Sequence, residues 1–445
     1  MMPGLAPWLA RVRAAAAVAV VAAGSAGEVT AQVANSLPRA VGLGGSYTAL
    51  ARGLAAPAWN PAGLGMPGNP AFSITALSVA ATSGLEPITL GDLADYGGEL
   101  IPYEARVAWL DRIRAAGGEK GVLDADVTYL ALSAGPVAVS LSSSARGRID
   151  MAPDVAEVFF FGNAGLTGEP GDYSLQGSSL DVAATTTVAA SFALPVPLRI
   201  GPLPDQRFAL GATLKYTVGN FLIHGQESRS AISSQPLSVD LRFPVVTTPM
   251  PDSGEVFAAG DLSNGNGVGL DLGAAWNGAG VSAGLVVRNV FHTFEWDLAD
   301  LEFHRGTALW NADTAATSFE EVPPSEAPEG IAGRVDRLYG FGPVLAAGAA
   351  ARVAPTLTLT GEVRHALEKN LAIGARDYLG VGAQLDALPA LPLQAGIALV
   401  TGGYQLSGGA GLRLGPVRIA AAGTYRDGDL GDDVLGSFGL TVGMP

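Results

Sequence analysis

The residues most able to do chemistry in this chain of 445 residues are a serine within a Gly-x-Ser-x-Gly pattern and four histidines. The pattern places Ser282 between Gly280 and Gly284, which is the spacing of a nucleophile elbow. An elbow needs a strand, a sharp turn and then a helix. Here apolar residues keep alternating from Val281 to Leu285, so we expect a straight strand with Ser282 on its polar face. A hydrolase built into the fold is kept as a minor alternative, and the prediction is that the protein is not an enzyme.

Metal and phosphate chemistry have little support. The chain has no cysteine, and the four histidines include no pair spaced four residues apart, as a helical zinc site would require: His224, His292, His304 and His365. Glycines 265, 267 and 269 lack the strand-turn-helix setting of a phosphate loop. An acidic turn could hold calcium, although its spacing does not match an EF-hand: Asp427, Asp429, Asp432 and Asp433. We expect no catalytic residue, no metal site and no cofactor.

The overall composition excludes further classes. The chain has 26 Lys and Arg against 41 Asp and Glu, a net charge of −15, which argues against nucleic acid as a partner. Hydrophobic residues make up 48% and charged residues 15%, so the chain is not intrinsically disordered. A soluble enzyme would carry more charge, about a quarter of its residues. The 60 glycines and 29 prolines point to many turns and short elements.

The first 31 residues have the three parts of a secretory signal peptide. Arg11 and Arg13 precede an apolar run from Ala14 to Ala23, and small residues follow as far as Ala31. We place cleavage after Ala31, with cleavage after residue 26 as the alternative. A membrane anchor is disfavoured because about ten apolar residues cannot cross a core of roughly 30 Å. The mature protein is therefore predicted to work outside the cytoplasm.

Beyond residue 70 the dominant pattern is alternation of apolar residues with small or polar ones, which is the period of a β-strand. Four segments show it clearly: 208–218, 356–364, 404–414 and 437–443. Ten segments show it more weakly: 72–81, 127–134, 136–143, 185–194, 268–276, 280–290, 344–353, 379–386, 393–400 and 416–424. The sequence therefore predicts an all-β protein of about fourteen strands.

The polar faces of these segments decide between a soluble sheet and a membrane barrel. They carry glycine, serine, threonine and scattered charges: Lys215, Asp271, Arg288, Glu362, Arg364, Arg413 and Arg418. A face in bulk water should be richer in lysine and glutamate, whereas a barrel interior suits small residues and paired charges. Sheet edges must also close within a bilayer, where unpaired backbone groups find no partner. We predict a transmembrane antiparallel β-barrel over residues 71–445, with a soluble β-fold as the alternative.

Three segments break the alternation. Residues 90–118 place Ile101, Trp109 and Ile113 on one helical face and predict a short helical insertion, either packed on the barrel or acting as a ligand gate. Residues 312–330 are rich in Pro, Glu, Ala and Ser and predict a long exposed loop. His292 and His304 are predicted to lie near an interfacial girdle or a loop rather than at a metal, because they flank an aromatic cluster: Phe291, Phe294, Trp296 and Phe303.

Residues 32–70 are too rich in glycine and proline for a long helix and too apolar to be left in water. We expect this hatch, or plug, to fold into the barrel mouth, with Asn60 and Pro61 forming a turn and Leu54 and Trp59 packing on the inner wall. A Gly/Ala-rich stretch ending in Asn60-Pro61-Ala62, followed by alternating strands, resembles the start of FadL-type outer-membrane barrels and their PorV-like relatives. The matching residues include Gly42, Gly44, Gly45, Tyr47, Ala49, Ala51, Ala58 and Gly63.

The resemblance implies a bacterial outer-membrane barrel of about fourteen strands whose lumen is closed by the N-terminal hatch. In the transporter branch it implies passage of long-chain fatty acids or other hydrophobic small molecules. The PorV-like branch implies the alternative function, a non-transporting barrel that anchors or shuttles secreted proteins. The implied partners are a hydrophobic molecule or lipid, outer-membrane lipids, the barrel assembly machinery and, in the alternative, secreted proteins. The ligand-binding residues stay unknown at this point.

Overall fold

The computed structural model describes residues 36–169, 171–198, 205–234, 237–249, 263–310, 315–326, 330–368, 376–428 and 432–444. The predicted signal peptide at residues 1–31 lies outside them. Fourteen antiparallel strands form one sheet: β1 Phe72–Glu86, β2 Glu119–Ala134, β3 Val137–Met151, β4 Ser179–Val196, β5 Arg207–Gln226, β6 Gly265–Gly278, β7 Val281–His292, β8 Val344–Ala354, β9 Leu357–Ala366, β10 Asp377–Leu388, β11 Leu391–Val400, β12 Gly403–Leu414, β13 Val417–Asp427 and β14 Asp433–Met444.

The sheet is a closed barrel. Each strand pairs with the next along the chain, and β14 returns to pair with β1 from Phe72–Met444 to Gly84–Asp433. Closure gives both terminal strands a partner, which is what a bilayer requires of a sheet. The shortest barrel strands have 10 residues, enough to cross the hydrocarbon as tilted strands. The prediction of an antiparallel barrel of about fourteen strands is confirmed.

The two faces of the wall have opposite chemistry. On β5, Leu210, Leu214 and Tyr216 point outward and are 48%, 61% and 48% exposed, whereas Thr213 and Lys215 point inward and are almost fully buried. The same outward apolar pattern recurs around the barrel: Leu194, Leu285, Val363, Leu379, Val381, Leu399 and Phe438. A continuous apolar belt of this kind is stable against lipid and would aggregate in water. The structure is that of an outer-membrane barrel, as predicted.

The two rims differ in the length of their connections. At one rim, here the turn rim, two-residue turns join β2 to β3, β6 to β7, β8 to β9, β10 to β11 and β12 to β13. At the other, the loop rim, long segments join β1 to β2, β3 to β4, β5 to β6 and β7 to β8. Outer-membrane barrels have short periplasmic turns and long extracellular loops. This rule places the turn rim in the periplasm and the loop rim outside the cell.

The remaining elements lie in the plug and the loops. The helices are α1 Pro38–Gly42, α2 Leu90–Ala94, α3 Tyr103–Ala116, α4 Pro153–Phe161 and α5 Ile331–Tyr339, with 3-10 turns at Gly53–Ala55, Pro61–Gly65, Gly162–Ala164 and Pro324–Glu326. Seven short strands extend the loops: Tyr173–Ser174, Ala231–Ser234, Leu237–Arg242, Val245–Thr247, Glu295–Trp296, Glu302–Trp310 and Ala315–Val322. No helix in the described part of the chain has the length and apolarity to cross a membrane.

Within the predicted loop at 312–330, residues 315–322 form a strand instead of irregular chain. Ala315–Val322 is a strand that pairs antiparallel with Glu302–Trp310, which in turn pairs with Leu237–Arg242. The charged composition that suggested a loop reflects a hairpin standing clear of the membrane, where ladder hydrogen bonds form without an apolar face. Arg305 and Glu326 form an exposed ion pair beside this hairpin.

The helical insertion after β1 is present and packs on its neighbour from the next loop. Trp109 and Ile113 of α3 are buried against Phe160 of α4, and the rings of Trp109 and Phe160 lie 6.1 Å apart. Thr89 caps α2 in a capping box with Asp92, whose carboxylate also pairs with Arg112 of α3 at 2.6 Å. The pKa of Asp92 is lowered to about 2, chiefly by the hydrogen bond from Arg112.

We expect Asp92→Ala to loosen α2 by about 1 kcal/mol, because it removes the oxygens that accept from the Thr89 N–H and from Arg112. Because the folded-state pKa is depressed, this stability is complete above the ordinary pKa near 3.8 and is lost as pH falls through about 2. Hydrogen exchange of the α2 amides near neutral pH checks the prediction, with Asp111→Asn, at an exposed position of α3, as a control. Equal exchange in both variants would contradict the role of the cap.

Candidate functional site: the plugged lumen and its aromatic mouth

Residues 36–70, here called the plug, lie across the lumen of the barrel. Helix α1 contacts β11 to β14, the turn Gly53–Ala55 contacts β1 to β3, and the turn Pro61–Gly65 contacts β4 to β6. Hydrogen bonds from residues 44–48 reach β9 and β10. The plug is therefore held by nearly the whole circumference of the wall, and most of its apolar side chains are buried: Ala40, Leu43, Tyr47, Ala49, Leu54 and Trp59.

A carboxylate on the wall binds the plug backbone. Glu362 on β9 accepts hydrogen bonds from the backbone N–H groups of Tyr47 and Thr48, each at 2.8 Å. Its other oxygen accepts from Arg364 at 3.0 Å, and Arg364 donates to the carbonyl of Gly45 at 2.9 Å. Both charged side chains are buried, at 3% and 6% exposure. The plug therefore supplies the remaining hydrogen-bond partners of the ion pair. Its N–H groups bind the carboxylate of Glu362, and its carbonyl oxygen binds the guanidinium of Arg364.

The next plug residues bind β9, β10 and β12. Gly44 has φ of +66°, a conformation that favours glycine, and its carbonyl accepts from the hydroxyl of Tyr378 and from the amide of Gln405. Ser46 is hydrogen-bonded to the Tyr378 hydroxyl at 2.9 Å, and its carbonyl accepts from Thr360 at 3.0 Å. Polar residues of the inner wall therefore satisfy backbone groups that the irregular plug cannot pair within itself.

Trp59 is contacted by two arginines of the wall. The guanidinium carbons of Arg288 on β7 and Arg364 on β9 each lie 5.5 Å from the centre of the Trp59 ring. Tyr47 meets the same ring edge-on, with centroids 5.5 Å apart. Trp59 is 1% exposed. Cation–π contacts strengthen when they are shielded from water, so this ring ties the plug to the wall.

Asn60, Pro61 and Ala62 form the turn after Trp59. The Asn60 side chain accepts from the backbone N–H of Ala62 at 3.1 Å and donates to the carbonyl of Ala274 on β6, also at 3.1 Å. Pro61 begins the 3-10 turn that Asn60 caps, and Asn60 and Ala62 are fully buried. The side chain of Asn60 therefore caps its own turn and binds the barrel wall at once.

Glycines on the inner wall make room for the plug. At nine inward positions an added Cβ would lie within 3.4 Å of a plug atom: Gly211, Gly273, Gly284, Gly348, Gly380, Gly382, Gly396, Gly409 and Gly439. At Gly396 the nearest plug atoms are the backbone N of Gly44 and the carbonyl C of Leu43, both at 2.4 Å. We call these nine residues the plug-facing glycines. They let the plug backbone lie directly on the strands, which accounts for much of the glycine on the polar faces.

Buried ion pairs line the lumen between the plug and the loop rim. Lys215 on β5 pairs with Asp271 on β6 and donates to Asn289 at 2.6 Å, and Asn289 donates to the carbonyl of Gly342 at 3.0 Å. On the other side of the lumen three further pairs join β2 to β3 and β13 to β14: Arg146–Asp126, Arg148–Asp124 and Arg426–Asp433. The expectation that charges inside the barrel would pair is met at these positions.

An apolar cluster, here called the aromatic mouth, closes one side of the lumen at the loop rim. Its centre is an edge-to-face chain of rings, with Phe294 4.9 Å from Phe341 and 5.4 Å from Trp296. The cluster also contains Leu222, Val246, Leu301, Phe303, Ile331, Val335 and Tyr339. Gly219 on β5 lets the Trp296 ring lie flat on the wall. Among the apolar clusters of the described residues, this one has the most buried members.

The aromatic residues beside His292 and His304 lie where a girdle or a loop was predicted, one on the outer face of β7 and three in the connection from β7 to β8. Phe291 is 55% exposed on the outer face, whereas Phe294, Trp296 and Phe303 are buried inside the mouth. After β7 the chain turns back across the opening, and Glu295–Trp296 pairs with the first residues of β6. Alternation within β7 could not reveal this reversal, because it depends on where the strand leaves the barrel.

Helix α5 covers the aromatic mouth, and the hydroxyl group of Tyr339 binds it to the barrel wall. Tyr339 is hydrogen-bonded to Asp181 on β4 at 2.8 Å and to the carbonyl of Ile223 at 2.9 Å. His224 contacts the same oxygen of Asp181 through Nδ1 at 2.6 Å. Burial, and then the negative charge of Asp181, raise the pKa of Tyr339 well above 10. The neutral hydroxyl is therefore the form that holds the helix.

We expect Tyr339→Phe to weaken the docking of α5 by about 1 kcal/mol, which is roughly a fivefold loss of hydrogen-exchange protection. In the wild type, docking is complete below the ordinary tyrosine pKa near 10 and weakens as pH rises above it, because the folded state disfavours tyrosinate. Exchange of amides 331–339 measures both effects. Tyr129→Phe, at an exposed outer position, is the control, and unchanged protection in Tyr339→Phe would contradict the docking role.

The residues that the sequence singled out for chemistry have structural roles in the barrel. Ser282 lies within β7, without the strand-turn-helix geometry of an elbow, and receives a hydrogen bond from Asn277 at 2.8 Å. Glycines 265 and 267 of β6 lie against the backbone of residues 293–296, so they seat the segment that crosses the mouth. Among the described residues no group of three or more His, Asp or Glu could hold a metal ion. Asp429 of the acidic turn lies outside the described residues.

The fold and the site define a membrane-spanning β-barrel of the outer-membrane type, with a lumen closed by its own N-terminal segment. No family model and no curated protein matches the chain. Among solved structures it is similar to the Ralstonia pickettii toluene transporter TbuX, at 12% identity over 92% of this chain and 98% of that one, with a TM-score of 0.49.

A Pseudomonas aeruginosa FadL homologue matches at 12% identity over 94% of this chain and 99% of that one, with a TM-score of 0.47. The monoaromatic hydrocarbon channel CymD matches at 11% identity over 92% and 97%, also with a TM-score of 0.47. These structures are of the FadL type noted from the sequence. At such identities and scores, the class of this protein rests on its strand pairing, its outer belt and its plug.

Proposed function

We propose that the protein is a non-enzymatic outer-membrane channel through which hydrophobic small molecules, such as long-chain fatty acids or aromatic hydrocarbons, enter the cell. The observation that carries the proposal is the aromatic mouth at the loop rim, next to inner-wall positions that are mostly polar. A channel for hydrophilic solutes would gain nothing from buried aromatic rings at its outer opening, whereas an apolar solute gains about 25 cal/mol for each Å² removed from water. Small-molecule sites are commonly apolar with a few placed polar groups.

The plug supports the same function. Residues 36–70 bind the wall around the lumen, which is incompatible with a wide water-filled pore. Hydrophobic solutes do not need such a pore, because they partition from one apolar surface to the next. Two of the similar structures are named as a toluene transporter and a monoaromatic hydrocarbon channel, which describes those proteins. The solute class proposed for this chain has the same chemistry.

Uptake of labelled palmitate and of labelled toluene by cells that carry the barrel tests the proposal. We expect uptake above cells without the barrel, and a loss in the double variant Phe294→Ala/Trp296→Ala, which removes the centre of the aromatic mouth. Trp276→Ala is the matched control, because Trp276 lies at the turn rim and bonds to Gln206. Uptake equal to that of cells without the barrel, for both solutes, would refute a transport function.

A second function, anchoring of a secreted protein, is favoured by apolar side chains on the outer loops. Leu100 is 95% exposed and Phe159 of α4 is 80% exposed, and both lie in segments that join barrel strands at the loop rim. Exposed apolar residues of this kind often mark protein contacts. Stoichiometric co-purification of a secreted protein that is lost in Leu100→Ser/Phe159→Ser, with uptake absent, would favour this PorV-like role over transport.

A further inference from the structure

Arg288 has fewer partners than a buried cation needs. Its side chain is 2% exposed, and one guanidinium nitrogen reaches the carbonyl of Trp59 at 3.5 Å, a long contact. Its Nε and Nη1 have no hydrogen-bond partner, and neither does Nη1 of the nearby Arg364. A buried guanidinium with most of its donors unpaired is unfavourable by several kcal/mol unless an anion accompanies it.

The charges around this arginine do not balance. On the loop side of the plug, among the described residues of β5 to β9, the buried cations are Lys215, Arg288 and Arg364, and the buried carboxylates are Asp271 and Glu362. Lys215 pairs with Asp271 and Arg364 pairs with Glu362, so Arg288 is left without a carboxylate. The plug does not supply one, because residues 36–70 contain no Asp or Glu.

We propose that Arg288 and Arg364 bind a small inorganic monovalent anion, such as chloride, beside Trp59 where the plug meets the wall. Guanidinium groups bind anions through N–H donors arranged in a plane, and both groups here have such a donor free. The size limit follows from burial, because Trp59 and Arg288 are almost fully enclosed. The anion balances the third cation and helps to seat the plug. This site is independent of the transported solute.

Bromide is the probe for this site, because it replaces chloride and scatters X-rays anomalously. We expect crystals of the mature wild-type barrel grown in sodium bromide to show an anomalous peak within hydrogen-bond distance of Arg288 Nε or Nη1. Peaks confined to surface arginines, or only water beside Arg288, would overturn the proposal. This measurement does not depend on uptake, so its failure and the failure of the transport proposal are distinguishable.

Thermal unfolding in detergent gives a second measurement. We expect the wild-type midpoint to rise by about 3 °C when a bulky sulfonate salt is replaced by sodium bromide at equal ionic strength, as for a ligand that binds only the folded state. Arg288→Met removes the unbalanced charge and should abolish the bromide dependence. Arg242→Met, at an exposed ion pair, should keep the wild-type dependence. An equal bromide shift in Arg288→Met would refute the site.

Discussion

Glu362→Met is expected to release the plug from the wall and to convert a closed barrel into one that conducts ions. The substitution removes the carboxylate that accepts from Tyr47 and Thr48 and that pairs with Arg364. Arg364 would stay buried without its partner, next to the uncompensated Arg288. Breaking one partner of a buried ion pair destabilises by ~3–5 kcal/mol, and two plug N–H groups lose their acceptor as well.

Ion conductance across planar lipid bilayers measures the result. Wild type is expected to be nearly silent and Glu362→Met to show long-lived open levels, while Glu99→Ala, at an exposed loop position, stays silent. The double variant Glu362→Met/Arg364→Met should lie closer to wild type than the single variant, since it leaves no unpaired charge from this pair. A silent Glu362→Met barrel that still folds would show that the other contacts alone hold the plug.

The barrel could be predicted from the sequence because the residues of every strand that face lipid must be apolar, which makes them alternate with the inward-facing residues. Each of the fourteen predicted segments falls on a barrel strand, including weak ones such as 136–143 and 379–386. The predicted strands were too short toward the loop rim, as on β5, which continues from 218 to 226. Beyond the membrane the outer face no longer has to be apolar, so the alternation fades while the ladder hydrogen bonds continue.

For the site, the sequence predicts which residues face the lumen but not which contacts they make. The sequence indicates that Glu362, Arg364 and Lys215 face the lumen, because they alternate with lipid-facing residues. It does not reveal that Glu362 binds the backbone of Tyr47, since the partners are separated by 315 positions and the plug has no regular periodicity. The docking of Tyr339 on Asp181 could not be predicted either, because these two residues are 158 positions apart. The run of inward glycines was the visible signal that a second chain segment lies against the wall.

The plug and the aromatic mouth are held in the barrel by different kinds of interaction. Arginines, carboxylates and backbone groups hold the plug, so the plug contacts are polar and directional. The mouth is held by apolar packing and by the hydroxyl of Tyr339, so helix α5 can loosen without disturbing the bonds of Glu362. The two regions lie at different levels of the lumen, and variants of one should leave the other intact. The transport and conductance experiments therefore report on separate parts of the protein.

Gly396→Val is expected to expel the plug by steric conflict, although every polar side chain that binds the plug is unchanged. The new Cβ would lie 2.4 Å from the backbone of Leu43 and Gly44. Non-bonded atoms cannot stay this close, so either the plug or the strand must move. The β11 backbone is held by ladders to β10 and β12, whereas the plug is an irregular segment, so the plug should move. Overpacking of this kind costs about 1–3 kcal/mol, and the branched side chain fills the path of residue 44.

Conductance again measures displacement of the plug, and the chain offers a matched control. Gly436→Val introduces the same side chain on β14 at an outward position with no atom within 4 Å, so it should fold and stay silent. Adding Gly211→Val, whose Cβ would lie 2.3 Å from the backbone N of Ala62, should lengthen the open times further, because the plug then meets obstacles on opposite walls. A silent Gly396→Val barrel whose plug stays protected from trypsin at Arg52 would mean that β11, not the plug, yields. Glycine would then be dispensable at the contact, and polar anchoring through Glu362 would dominate the seating of the plug.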